Sequence, residues 1–111
     1  MRRYFNTALA SSMLPDGTVR IRTLSQLEAS SWLREAPFLN AANPNHGNTL
    51  AMLSASLGVE LRASAEGGKL SLASGDVCLV SEVRALPRVT REFTDAEVAA
   101  AEVRLRLVEV G

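Results

Sequence analysis

The chain of 111 residues has one cysteine and one histidine, and each scarcity closes off a class of chemistry. A single cysteine excludes an internal disulfide. One His and one Cys do not make up a structural zinc site, and no carboxylates cluster at metal-ligating spacing, so the expected chemistry is metal-free and without a cofactor. Charge of one sign is missing too: Lys+Arg 12 against Asp+Glu 12 leaves a formal net charge of +0. Affinity for duplex nucleic acid or a membrane surface needs a basic excess to displace counterions, so neither partner is expected. A small anion is a different case, since it takes only a local site. No window approaches the roughly 18 consecutive apolar residues of a spanning helix. The opening Met1-Arg2-Arg3 leads into no apolar stretch of the kind a signal peptide carries. The expected location is the cytoplasm.

What is present is ordinary globular composition, 47% hydrophobic and 22% charged. The length suits a single domain over residues 1–111 with one core. Residues 2 to 8 read as a first strand, and Ala10 to Gly17 as a loop with a Pro-Asp-Gly turn. Thr18 to Thr23 alternates, Val19 and Ile21 against Arg20 and Arg22, as a half-buried strand does. Ser25 and Glu28 form a capping box for a helix with the apolar stripe Ala29, Trp32, Leu33 and Ala36, stopped by Pro37. Val59 to Ala65 and Leu70 to Ser74 are strand-like runs joined by a Gly-containing connection, which predicts a hairpin. Val77 to Arg84 opens as a near-continuous apolar run, the pattern of a strand covered on both faces and the best centre for a sheet. Cys78 falls inside it and reads as core, not as a nucleophile. Thr94 and Glu97 make a second capping box, with Phe93 and Val98 as its staple, and Val103 to Val110 alternates as a closing strand. The order predicts an α/β (α+β) fold, a mixed sheet with helices packed on it.

The lone histidine lies in the loop Asn40 to Thr49, rich in amides and poor in apolar residues. Leu50, Leu53 and Leu57 recur at i, i+3 and i+7, so a helix runs from about Asn48 to Leu57, closed by Gly58 in the left-handed position past its end. His46 therefore sits just ahead of a helix N-terminus. Free N–H groups and the positive dipole end collect there, which suits a phosphate, and an imidazole beside a phosphate is a proton donor. Asn40, Asn43, Asn45 and Asn48 are either turn formers and caps or readers of adenine edges.

The chain resembles the viral anti-CRISPR ring nucleases and their bacterial relatives, small proteins that degrade cyclic tetra-adenylate. The residues that carry the resemblance are Asn6-Thr7-Ala8 after the first strand, Phe38, His46 with Thr49 three residues on, Leu57-Gly58, Gly75-Asp76 before an apolar strand, and Leu86-Pro87. It implies a homodimer with a central mixed sheet that binds the cyclic RNA messenger of type III CRISPR defence across its two-fold. It also implies that His46 acts as general acid. Where the family follows its Leu-Pro with Glu-Gly, this chain has Arg88-Val89, and Ala85 stands where the family tends to have arginine.

Resemblance and residues together give one expected function. It is a metal-independent ring nuclease with catalytic His46 and the ligand contacts Asn6, Thr7, Ser11, Asn45, Gly47, Asn48, Thr49, Arg84 and Arg88. N–H groups near Asn48 and Thr49 would hold phosphate, with Arg84 or Arg88 meeting developing charge. The alternative, motivated by Arg88 in place of glutamate, is a sponge that binds the cyclic nucleotide without cleaving it.

Overall fold

A computed structural model describes residues 2–42, 47–62, 64, 70–84, 94 and 102–111, with 47, 48, 83, 84 and 102 described by their backbone alone. The elements are β1 (Arg3–Asn6), a 3-10 turn (Ser11–Met13), β2 (Val19–Thr23), α1 (Gln26–Glu35), β3 (Leu39–Asn40), α2 (Gly47–Leu57), β4 (Val77–Arg84) and β5 (Glu102–Val110). The five strands form one mixed sheet in the order β2-β5-β4-β1-β3. β1 runs parallel to β3 and β4, while β5 is antiparallel to β4 and β2. With the two α-helices found among the described residues this is an α+β domain, as the element order implied.

The apolar run of β4 occupies the centre, where Cys78, Leu79 and Val80 are all fully buried. Alternation along the strands separates two cores. On one face Phe5, Leu79, Leu105 and Leu107 meet Leu33 of α1 and Leu50, Leu53 and Leu57 of α2. On the other, Cys78, Val80, Val108 and Val110 are covered by Met13 of the 3-10 turn and by Leu72 of a loop segment.

Both helices end where local chemistry ends them. Ser25 Oγ accepts the Glu28 N–H at 3.1 Å and Glu28 Oε1 accepts the Ser25 N–H at 3.0 Å, closing the capping box of α1. The Ser25 N–H bond first, and then the Ser25 side chain beside the carboxylate, hold the Glu28 carboxyl below its ordinary value. Pro37 disfavours helical geometry in the residue before it, and Ala36 is extended at φ −157, so Ala36 closes the helix instead of extending its stripe. Gly58 ends α2 in the left-handed region at φ +67, its N–H bonded to the Ser54 carbonyl at 2.9 Å. Trp32 is half-buried against the helix-side core, and the Arg3 guanidinium lies 3.9 Å over its ring. Arg3 also donates to the carbonyls of Trp32 and Ala36, tying β1 to α1.

Three readings are corrected. None of the described residues in 59–64 or 70–74 is in a strand, so the expected hairpin does not form there. Leu61 fills the helix-side core and Leu72 the opposite one, and the backbone of the two runs bonds elsewhere: Ser64 N–H to the Ala42 carbonyl, Leu72 N–H to the Met13 carbonyl. Asn40 is not a turn residue but the end of a short strand whose register partner is Phe5. Ile21 is 46% exposed, because β2 is an edge strand whose covering loop reaches only Val19. The helix read from Asp95 and the connection at 66–69 lie outside the described residues.

Candidate functional site at the carboxyl edge of the parallel strands

Because β1, β3 and β4 are parallel, their carboxyl ends open on one edge of the sheet. In open sheets of this kind the crevice beyond those ends is where ligands are held. β3 ends at Asn40, Ala41 continues beside β1 by donating to the Phe5 carbonyl at 2.8 Å, and α2 begins at Gly47. The first-turn N–H groups of Gly47, Asn48 and Thr49 lack acceptors inside the helix, and the positive end of its dipole lies there. The residue immediately ahead of that turn in the chain is His46.

The site residues read from sequence fall into three groups. Asn6 and Thr7 close β1 and are 5% and 9% exposed. The Asn6 amide is engaged at both ends: Oδ1 accepts the Thr7 N–H at 2.8 Å and Nδ2 donates to Met13 Sδ at 3.6 Å. Asn6 thus fastens the 3-10 turn to the end of β1, and Ser11, exposed at the head of that turn, is held in place by it. Thr49 is 3% exposed, so its side chain faces the interior and its backbone N–H is what the helix terminus offers. Gly47, Asn48 and Arg84 are described by backbone only, the first two in α2 and Arg84 paired with Glu102 at the end of β4. Asn45, His46 and Arg88 lie outside the described residues.

Sequence reasoning passed over two polar residues in β4. Ser81 is fully buried and Glu82 partly so, and Ser81 Oγ and Glu82 Oε1 have no hydrogen-bond partner among the described residues. Glu82 Oε1 nonetheless lies 3.2 Å from Arg106 Nε. The two observations are compatible, since the contact is a charge pair whose N–H does not point at the oxygen. Asn40 Oδ1, one strand over from β1, is also buried and unpartnered. Unpaired buried polar atoms are rare in folded proteins. The available signal was the Ser-Glu interruption of an apolar strand.

Elsewhere the described chemistry is inert. Burial pushes the Cys78 thiol up to about 12, which keeps it protonated and unreactive. Among the described residues no group of three or more His, Cys, Asp or Glu could hold a metal ion, and no helix is long and apolar enough to cross a membrane. A hollow of about 310 Å³ lies level with the carboxyl end of β4, on its β5 side, where Val103, Arg104 and Leu105 pair with Val83, Glu82 and Ser81. It lies by the last turns of α2, floored by Leu24, Leu53, Leu57 and Leu105, and offers no group suited to acid–base work.

No protein-family model matches the chain, and no curated protein matches it. Among solved structures the chain is similar to B116 of Sulfolobus turreted icosahedral virus, with a TM-score of 0.68 over 98% of this chain and 99% of that one. The two share 17% sequence identity, a level at which the likeness shows the fold alone. The fold of this chain is therefore one that a viral protein also adopts.

Proposed function

We infer that the protein is a metal-independent ring nuclease acting on a cyclic oligoadenylate, cyclic tetra-adenylate first among them, and working as a homodimer. The observation that carries this reading is the start of α2 at the residue after the chain's only histidine, in the segment of chain that leaves the carboxyl end of the parallel strand β3. The family resemblance of the His46 to Gly58 stretch supplies the substrate class. Likeness to a viral protein agrees with the viral side of that resemblance, through fold only.

A ribonucleotide ring brings its own nucleophile. The 2′-hydroxyl oxygen attacks the adjacent phosphorus, the bond from phosphorus to the departing 5′-oxygen breaks, and the 2′-hydroxyl proton leaves to solvent. Protonated His46 delivers its proton to the 5′-oxygen, giving a linear adenylate with a 2′,3′-cyclic phosphate and a free 5′-hydroxyl. The N–H groups of the first turn of α2 hold the non-bridging oxygens, and Arg84 or Arg88 offsets the charge that builds on them. In this arrangement Asn6 and Thr7 set the floor beside Ser11, which reaches the ligand.

The test is incubation of the purified protein with cyclic tri-, tetra- and hexa-adenylate in EDTA, resolving retained ring from linear products by chromatography. Multiple turnovers of cyclic tetra-adenylate are the expected result. Stoichiometric retention of intact ring would convert the reading to the sponge, and no binding of any ring would end both.

A further inference from the structure

Helix α1 carries three polar side chains at i, i+4 and i+8, and each donates to a different one of three consecutive carbonyls that close α2. Gln26 Nε2 reaches the Ser56 carbonyl at 2.6 Å, Ser30 Oγ the Leu57 carbonyl at 2.7 Å, and Arg34 Nη2 the Gly58 carbonyl at 3.3 Å. Residues four apart share one face of a helix, so the three form a single ridge. Carbonyls in a last turn have no partner inside their own helix, and a cation beside them also meets the negative end of the dipole. One such bond would satisfy a cap. Three fix the position of α2 along its axis, its rotation and its tilt, which the apolar contacts of Leu50, Leu53 and Leu57 do not specify on their own.

The lever arm gives this its functional weight. Eleven residues of helix are about 16 Å long at ~1.5 Å per residue. A tilt of about 5° about the C-terminal end therefore moves the first turn by about 1.4 Å, and a misplacement of about 1 Å at a reacting centre costs on the order of a hundredfold in rate. We propose that Gln26, Ser30 and Arg34 are positioning residues: from the far end of α2 they hold its first-turn N–H groups in register with the phosphate of the bound ring. This rests on the ring-nuclease reading for its substrate, while the mechanical coupling between the two ends of α2 is testable without it.

The experiment compares the natural chain with Ser30→Ala, Arg34→Met and the double variant, with Arg34→Lys as the conservative control. Arg34→Met removes one bond at an exposed side chain and keeps the aliphatic stem, so it folds even where loss of the buried Ser30 hydroxyl is not tolerated. Two quantities are read: amide hydrogen exchange along α2 against the β4 amides, and single-turnover cleavage of cyclic tetra-adenylate beside its Kd. The expected result is faster exchange at Ala51 to Leu53, whose N–H groups bond the carbonyls of the first turn, with a cleavage rate in the double variant reduced about ten- to a hundredfold. Kd should move by only a few fold, and Arg34→Lys should keep most of both properties. Faster exchange confined to Ser56 through Gly58, with the first turn and the rate unchanged, would make the ridge a local cap and overturn the proposal. If the natural chain neither binds nor cleaves any ring, the nuclease reading fails by itself and the exchange data still decide the coupling.

Discussion

Gly58→Ala puts the end of α2 under direct test. Gly58 sits at φ +67, where an L-residue brings its Cβ against the following carbonyl at a cost of roughly 1–2 kcal/mol. A Cβ built there would also lie 2.5 Å from Arg34 Nη2, closer than real Cβ contacts come. The guanidinium is the far end of a flexible side chain, so it withdraws and gives up its bond to the Gly58 carbonyl, a further loss of roughly 0.5–1 kcal/mol at an exposed position. The sum, about 2 kcal/mol, is a substantial part of the ~5–15 kcal/mol that separates folded from unfolded domains. With a urea dependence of about 2 kcal/mol per molar, the unfolding midpoint falls by about 1 M. Repeating the substitution in an Arg34→Ala background separates the two parts, because only the backbone cost of roughly 1–2 kcal/mol then remains. Gly58→Asn should be milder, since Asn visits this region more readily. A neutral Gly58→Ala would mean that the left-handed residue does not terminate α2. Equal losses in both backgrounds would mean that Arg34 does not lie over the glycine.

Other perturbations probe the rest of the frame. Asp76 is 6% exposed and accepts the Arg2 N–H at 3.0 Å and the Ala73 N–H at 2.9 Å, so Asp76→Ala leaves two donors short and should cost roughly 2–3 kcal/mol. Calorimetry should show a thermal midpoint roughly 8 to 12 °C lower, and a change under ~2 °C would contradict this account of the turn. Cys78 should resist iodoacetamide at pH 8 in the folded protein and react once urea unfolds it. The sign of its pH dependence follows from the raised folded value. Unfolded chains release the thiol proton near 9.0 while the folded chain holds it to about 12, so stability falls as pH climbs through that interval, and Cys78→Ala should remove this component of the slope.

What was legible in the sequence is what short-range chemistry decides. The box at Ser25 and Glu28, the stop at Pro37, the leucine spacing that ends at Gly58, and the apolar run through Val80 are each specified within a few residues, and each appears where it was read. The elements that escaped are decided at long range. β3 has two residues and exists because Phe5 supplies its partner and its next hydrogen bond. The strand-like runs Val59 to Ala65 and Leu70 to Ser74, joined by a Gly-containing connection, had the look of a hairpin, yet Leu61 and Leu72 are single anchors dropped into different cores. At the candidate site the same division holds. A helix starting just after His46 was readable from spacing, whereas the inward use of Asn6 depends on Met13 arriving from the 3-10 turn. Nor does any local pattern announce that side chains eight residues apart on α1 end a different helix.

The measurement that bears most directly on the central claim is a comparison of His46→Ala with the natural chain on cyclic tetra-adenylate in EDTA, recording the single-turnover cleavage rate and the Kd of the intact ring. A proton donor to the 5′-oxygen acts in the transition state and hardly at all in the bound ground state. Cleavage should therefore fall by about a hundredfold or more while Kd stays within about tenfold. Rates unchanged by the substitution, or affinity lost in the same proportion as rate, would contradict the role assigned to His46.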